Sequence, residues 1–210
     1  MIPSRAIPNI ITVARIALCP VIFVLIFVPT FTARFIAWIL FLIAAFSDLV
    51  DGSLARKHGW ISDFGKLWDP VADKMLVVAT FIPFYILSNT DPTEGFFPVI
   101  GTFPLWIVLV IFGRELFVTV FRSFAARRGV VIAAGSAGKH KAVWQNIFIG
   151  SAIFWYALQS AALNHGWTGD AWTWWQRFHA FVLLLSLAVA VVLTVYSMIV
   201  YMRSDRKSVV

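Results

Sequence analysis

Long apolar runs separated by short polar segments dominate the pattern of this chain. A helix of about 20 predominantly apolar residues is long enough to cross the hydrocarbon core of a bilayer. Runs of that length lie at about residues 8–30, 33–56, 69–89, 97–126, 140–163 and 178–202. The pattern therefore predicts an all-α membrane protein in which residues 1–210 form a single integral domain with six transmembrane helices.

The composition agrees with a protein of the bilayer. With 60% hydrophobic and 13% charged residues, a chain of 210 residues has too little polar surface to cover a soluble domain. The first apolar run follows Arg5 and contains Arg15, and no convincing small-residue cleavage site precedes the second run. We therefore expect the first run to be a retained helix and not a signal peptide.

Basic residues near the helix ends predict the orientation, since cytoplasmic loops are rich in lysine and arginine. In the six-span arrangement one side carries Arg5, Arg56, Lys57, Lys66, Arg127, Arg128, Lys139, Lys141, Arg203, Arg206 and Lys207. The other side carries Arg34 and Arg177. Both termini are therefore expected in the cytoplasm. The net charge of +7 fits a surface of anionic lipid or a phosphorylated substrate, and the lack of a soluble basic face argues against nucleic-acid binding.

Five of the ten acidic residues fall between Ser47 and Lys74. In the second predicted helix, positions 48, 51, 52, 55 and 56 share one face through their helical spacing. That face presents Asp48 and Asp51, then Gly52 and Ala55, and finally Arg56. The two small residues leave room for a ligand, or alternatively for another helix, to approach the backbone closely.

A second pair of carboxylates begins the next predicted helix. Asp69 precedes Pro70, so an N-cap is the structural alternative for this residue, but capping does not explain Asp73 one turn later on the same face. Two antiparallel helices joined by a short loop would bring this pair close to Asp48 and Asp51. We therefore expect four carboxylates to meet at one end of these helices.

Such a cluster needs a cation, because one acidic residue at mid-membrane costs about 2.5 to 3.5 kcal/mol. Arg56 and Lys74 would provide it in a purely structural network of salt bridges. Two hard divalent cations, Mg²⁺ or Mn²⁺, also suit a site made only of carboxylates. Paired metals serve displacement at phosphorus, and an arginine such as Arg56 binds phosphate oxygens. The residues thus predict a membrane-embedded two-metal site for phosphate chemistry.

The same residues resemble the D-x2-D-G-x2-A-R-x8-G-x3-D-x3-D signature of the CDP-alcohol phosphotransferases. The matching positions are Asp48, Asp51, Gly52, Ala55, Arg56, Gly65, Asp69 and Asp73. The resemblance implies a six-helix membrane enzyme that transfers a phosphatidyl or related group from a CDP-linked donor to an alcohol. It also implies a homodimer.

The resemblance further implies a role for each matched residue. Asp48, Asp51, Asp69 and Asp73 look like the ligands of the two divalent cations. Asp73 would also be the general base, although metal ligation lowers the basicity of a carboxylate. Gly52, Ala55 and Arg56 resemble the contacts to the cytidine diphosphate, and Gly65 would let the loop close around it. Asn9 and Thr12 resemble donor-binding positions, with a cap of the first helix as the alternative.

Basic residues in the second half of the chain predict the acceptor. The fragments "IPNIITVARI", "DPVADK", "GREL" and "AGKHKAVWQ", together with Arg122, resemble the branch of the family that uses glycerol 3-phosphate. The first part of this pattern is shared with the cardiolipin synthase branch, so the basic second half discriminates between them. The candidates for binding its phosphate are Arg114, Arg122, Lys139 and Lys141. Glu115 is the only acid in the fourth span and is expected to point about 100° away from Arg114, since helical residues advance by that angle. The alternative is snorkelling arginines and ordinary cytoplasmic lysines.

These observations lead to one expected activity. CDP-diacylglycerol would donate its phosphatidyl group to the primary hydroxyl of glycerol 3-phosphate, giving phosphatidylglycerophosphate and CMP. The enzyme would be a multi-pass protein of the bacterial inner membrane, with its active site facing the cytoplasm. Two alternatives stay open, namely cardiolipin synthesis with phosphatidylglycerol as acceptor and transport of divalent cations.

Overall fold

The computed structural model of the protein describes residues 7–58, 63–91, 97, 101–127 and 136–205. These residues form six α-helices, which confirms the all-α prediction. The helices are α1 (Ile7–Phe27), α2 (Phe31–His58), α3 (Asp63–Thr90), α4 (Leu105–Arg127), α5 (Ser136–His165) and α6 (Asp170–Asp205).

Five of the helices are long and apolar enough to cross a membrane. The qualifying segments are Asn9–Phe27, Phe31–Asp48, Trp68–Thr90, His140–His165 and Asp170–Ile199. Among the described residues, α4 does not qualify, and it carries Arg114 and Glu115 near its middle. The chain is therefore a multi-pass membrane protein.

Several helices begin at residues other than the predicted ones. The fourth helix begins at Leu105 and not near residue 97, because Phe97 and Gly101 exchange backbone hydrogen bonds of 3.0 and 2.9 Å. Gly101 has a φ of 72°, a left-handed conformation that glycine adopts at little cost. The sixth helix begins at Asp170, well before the predicted residue 178.

The third helix begins at Asp63, which excludes the alternative that Asp69 is its N-cap. Asp69 and Pro70 lie inside the helix, as does Gly65, which had been expected in a loop. A proline within a helix removes one backbone hydrogen bond, and α3 continues through Pro70 despite this loss. Asp69 and Asp73 consequently lie four residues apart on one helical face.

Helix α1 packs against both α2 and α3, while α5 packs against α2 and α6. Helix α4 packs against α6 and more lightly against α3. Aromatic side chains fill the centre of the bundle, and the rings of Phe84, Phe97, Phe148 and Tyr156 lie with centroids 5.2 to 6.3 Å apart. These rings hold α3 against α5. Helix α1 packs against both α2 and α3, so its side chains can contact both helices.

A buried arginine joins three helices at the end of α1. Arg34 donates hydrogen bonds to the carbonyl of Ile26 at 3.1 Å and to the hydroxyl of Ser160 at 2.6 Å. Its guanidinium also lies 5.5 Å from the centre of the Tyr156 ring. These contacts satisfy a carbonyl near the end of α1 and connect α1, α2 and α5.

Candidate active site

Two of the predicted metal-binding aspartates meet at an arginine of α1. Arg15 Nη1 donates a hydrogen bond of 2.6 Å to Asp48 Oδ1 on α2 and one of 3.2 Å to Asp73 Oδ1 on α3. Because one nitrogen contacts both oxygens, those oxygens lie at most 5.8 Å apart. The structure thus brings one side chain of α2 and one of α3 together at Arg15 of α1.

The third described aspartate contacts the same face of α1. Thr12 Oγ1 donates a hydrogen bond of 2.6 Å to Asp69 Oδ1. Thr12 and Arg15 are three residues apart and therefore neighbours on the helix surface. One face of α1 thus contacts Asp48, Asp69 and Asp73.

Exposure differs sharply between the arginine and its partners. The Arg15 side chain is 0% exposed, whereas Asp48 and Asp73 are 42% and 56% exposed. The guanidinium therefore lies beneath the carboxylates, and the carboxylates face an accessible space. A ligand that enters this space meets the aspartates before it meets Arg15.

The donor set suits a hard divalent cation, since such ions prefer carboxylate oxygens. Among the described side chains, however, no three acidic, histidine or cysteine residues are close enough to surround one ion. Arg15 contacts two of the candidate ligands in this arrangement. The side chain of the fourth candidate, Asp51, lies outside the described residues.

For the other signature residues of α2, the structure describes the backbone but not the side chains. Helix α2 continues to His58, so its backbone carries Asp51, Gly52, Ala55 and Arg56 beyond Asp48. The side chains of these four residues lie outside the described part of the chain. The predicted contacts to a cytidine diphosphate therefore stay predictions.

An open, shallow depression of about 460 Å³ lies along the first turns of α1. It is lined by Asn9, Ile10, Val13 and Ala14 from α1 and by Phe64 from α3. Asn9, a predicted donor-binding residue, is thus at a mostly apolar depression next to the turn that contacts Asp69. Thr12, the other predicted donor-binding residue of α1, donates its hydroxyl hydrogen bond to Asp69, which indicates that Thr12 positions this aspartate.

Sequence reasoning missed Arg15 as the counter-ion of the cluster and named Arg56 and Lys74 in that role. Lys74 instead donates a hydrogen bond of 2.5 Å to Thr119 Oγ1 on α4, and the side chain of Arg56 lies outside the described residues. One signal was present in the sequence, because α1 contains no acidic residue to pair with Arg15. An ionisable residue within an apolar span is expected to face a polar partner in the bundle.

The predicted phosphate-binding cations form a second cluster around Glu115. Its Oε1 accepts a hydrogen bond of 3.2 Å from Arg114 Nη1 and forms an ion pair with Lys141 Nζ on α5. The prediction that Glu115 points away from Arg114 is therefore wrong. Both side chains are long and flexible, so their ends meet although their α-carbons differ by about 100° around the helix.

Arg114 also reaches the sixth helix, where Nη2 donates a hydrogen bond of 3.1 Å to Ser197 Oγ. The cluster of Arg114, Glu115 and Lys141 thus joins α4, α5 and α6. The side chains of Arg122 and Lys139, the other two predicted phosphate ligands, lie outside the described residues.

Two buried donors accompany this cluster. Arg114 Nε and Gln145 Nε2 have no hydrogen-bond partner among the described residues. Gln145 is 3% exposed and follows Lys141 by one helical turn. An unsatisfied buried donor costs about 1 to 3 kcal/mol, which an oxygen-rich ligand would recover. Sequence reasoning assigned no role to Gln145, although its four-residue spacing from Lys141 indicates a shared face.

Comparison with known proteins adds independent observations. A family model described as "CDP-alcohol phosphatidyltransferase" matches residues 5–203. The chain is 39% identical over 158 residues to the CDP-diacylglycerol–glycerol-3-phosphate 3-phosphatidyltransferase of Bacillus subtilis, covering 70% of this chain and 75% of that protein. It is 33% identical over 142 residues to the protein of the same name from Rickettsia prowazekii, covering 68% and 71% of the two chains. A probable phosphatidylglycerophosphate synthase of Mycobacterium tuberculosis is 37% identical over 145 residues, covering 68% and 63%.

Proposed function

The chain belongs to the CDP-alcohol phosphatidyltransferase family, and we propose that it transfers a phosphatidyl group from CDP-diacylglycerol to glycerol 3-phosphate. The products are phosphatidylglycerophosphate and CMP. The observation that carries this proposal is the meeting of Asp48, Asp69 and Asp73 on one face of α1 in a chain of this family.

The proposed cofactors are two divalent cations, Mg²⁺ or Mn²⁺. Their ligands would be Asp48, Asp51, Asp69 and Asp73. When bound, such ions neutralise phosphate oxygens and stabilise the charge that develops on the leaving group. The donor chemistry of the described aspartates supports this assignment, as does their exposure at the mouth of the site.

Asp73 is the proposed general base, because it is more exposed than Asp48 and lies next to it. Its carboxylate accepts the proton of the primary hydroxyl of glycerol 3-phosphate. The hydroxyl oxygen then forms a bond to the phosphorus that carries the diacylglycerol. The bond from this phosphorus to the bridging oxygen breaks, and CMP leaves with the electron pair. No covalent enzyme intermediate is needed.

The donor and the acceptor would be bound at different ends of the site. Gly52, Ala55, Arg56 and Gly65 are the proposed contacts to the cytidine diphosphate, together with Asn9. Thr12 orients Asp69 through its hydroxyl. Thr12 and the small residues Gly52, Ala55 and Gly65 would therefore all lie on the donor side of the site, which is formed by α1, α2 and the start of α3.

The phosphate of the acceptor is assigned to Arg114, Lys141, Arg122 and Lys139. The three described members of the cluster, Arg114, Glu115 and Lys141, carry a net charge of +1. A phosphate dianion would compete with Glu115 for Lys141 and would also give the buried Arg114 Nε and Gln145 Nε2 an acceptor. An uncharged alcohol would bring no negative charge to pair with Lys141 and fewer oxygen acceptors for Arg114 and Gln145.

The proposed location is the bacterial inner membrane, with both termini and the active site on the cytoplasmic face. There the lipid-linked donor and the water-soluble acceptor meet. The excess of basic residues on one side of the predicted six-span arrangement supports this orientation. The proposed working form is a homodimer, which family membership favours.

Release of CMP from CDP-diacylglycerol by the purified protein tests the proposal. With Mg²⁺ present, glycerol 3-phosphate alone is expected to give CMP and phosphatidylglycerophosphate. CMP release only with phosphatidylglycerol would instead identify a cardiolipin synthase. Ion flux through reconstituted vesicles without any CMP release would identify a transporter of divalent cations.

A further inference from the structure

Arg15 differs from the other basic residues of the candidate site in its burial and in its partners. Its side chain is 0% exposed, and one nitrogen bridges carboxylates from two different helices. Two negative charges within 5.8 Å of each other repel, and a low dielectric strengthens that repulsion. The guanidinium therefore stabilises a pair of side chains that would otherwise move apart.

The same contacts place Arg15 in competition with any cation that binds these aspartates. Each of the two Oδ1 atoms on the guanidinium is a candidate ligand atom for a metal ion. A divalent cation that takes both oxygens must displace Arg15 from them or share them with it. It must also approach a fixed positive charge beneath the carboxylates.

We propose that Arg15 is an internal counter-ion, a positioning residue that holds Asp48 and Asp73 together before metal binds and weakens the binding of the metal that replaces it. This inference rests on the proposed function, since it concerns the same aspartates. Arg15 adds one positive charge beneath the carboxylates that would hold the cations. The loaded site therefore attracts a negatively charged diphosphate more strongly than the aspartates and ions alone.

Helix packing is the simpler explanation that must be separated from this role. Arg34 provides a matched comparison, because it is also a buried arginine that joins α1 to other helices. The hydrogen bonds of Arg34 to Ile26, Tyr156 and Ser160 go to carbonyl and hydroxyl oxygens. Loss of Arg34 is expected to lower stability by the same amount whether or not metal is present.

The experiment measures thermal unfolding of the full-length protein in detergent micelles by tryptophan fluorescence. Wild type, Arg15→Gln and Arg34→Gln are each heated in EDTA and over a series of Mn²⁺ concentrations. Mn²⁺ is expected to raise the midpoint of wild type, which tests the metal site itself. Both variants are expected to unfold at lower temperature than wild type in EDTA.

The metal response distinguishes the two arginines. For Arg15→Gln, Mn²⁺ is expected to raise the midpoint by at least about twice the wild-type shift, with half-saturation at about tenfold lower Mn²⁺. For Arg34→Gln, the shift should equal that of wild type. An equal shift in Arg15→Gln and wild type would overturn the inference and leave the proposed function intact. No shift in any of the three proteins would overturn the metal assignment, and the inference with it.

A second test applies if Arg15→Gln does not fold in EDTA. Recovery of folded Arg15→Gln only when Mn²⁺ is present during purification supports the inference. If it is not recovered under either condition, Arg15→Lys and Arg34→Lys replace the glutamine pair. A larger Mn²⁺ shift in Arg15→Lys than in wild type and Arg34→Lys supports the inference, and equal shifts overturn it.

Discussion

The hydrogen bond from Thr12 to Asp69 provides a sharp test of the candidate site. Thr12→Val keeps the shape of the side chain and removes the hydroxyl that donates to Asp69 at 2.6 Å. Thr12 is only 1% exposed, so water has little access to replace the lost donor. Asp69 would then lose the contact that orients it toward the other aspartates.

The expected magnitude follows from the charge on the acceptor. Hydrogen bonds to charged groups contribute about 1.5 to 3 kcal/mol, and a distance of 2.6 Å is in the range of charge-assisted O–H···O⁻ bonds. If this energy serves to position Asp69 for metal binding, kcat/KM falls roughly 10- to 150-fold. The Mg²⁺ concentration needed for half-maximal activity should rise, because one ligand is no longer held in place.

The assay measures CMP release from CDP-diacylglycerol over a range of Mg²⁺ and glycerol 3-phosphate concentrations. Thr80→Val is the matched control, since Thr80 is also buried but donates to the carbonyls of Leu76 and Val77 on its own helix. It should leave the Mg²⁺ dependence unchanged. A Thr12→Val enzyme with the Mg²⁺ dependence and rate of Thr80→Val would refute the reasoning.

Three further predictions concern the same two clusters. Asp69→Asn should reduce CMP release by about a thousandfold or more, because an amide replaces a charged ligand at the metal site; substantial activity would remove Asp69 from the ligand set. Arg122→Ala should raise the KM for glycerol 3-phosphate at least about tenfold with a much smaller change in kcat, since it removes a charge-assisted contact; an unchanged saturation curve would contradict the phosphate assignment. EDTA should abolish CMP release and Mg²⁺ should restore it, whereas activity that survives chelation would exclude a metal-dependent reaction.

The helical spacing of the sequence predicted that carboxylates of α2 and α3 would come close together, and their role as metal ligands stays a prediction. Asp69 and Asp73 share a face of α3, and Asp73 meets Asp48, because both helices follow the regular geometry on which that spacing depends. The detailed start of α3 could not be predicted. Pro70 is typical of a first helical turn, but the chain already forms helix from Asp63 and the bundle tolerates the lost hydrogen bond.

The partners of the charged side chains were harder to predict. A helical projection gives the direction in which a side chain leaves the backbone, not the place where its charged end lies. Glu115 therefore reaches both Arg114 and Lys141 although the projection separates it from Arg114. Arg15 was missed for another reason, since its partners come from helices that are 33 and 58 residues away along the chain. Only the packing of α1 against both α2 and α3 brings them together.

The position of Arg15 also has a consequence for biosynthesis. The ribosome makes α1 before α2 and α3, so the nascent first segment carries an arginine whose acidic partners have not yet been translated. An arginine at the centre of a spanning segment costs about 2.5 to 3.5 kcal/mol on insertion scales, and Arg15 lies on the N-terminal side of the centre of the span Asn9–Phe27. The cost of burying this arginine is therefore offset by its carboxylate partners only when the later segments arrive. Insertion of the first segment and the meeting of Arg15 with Asp48 and Asp73 are thereby coupled.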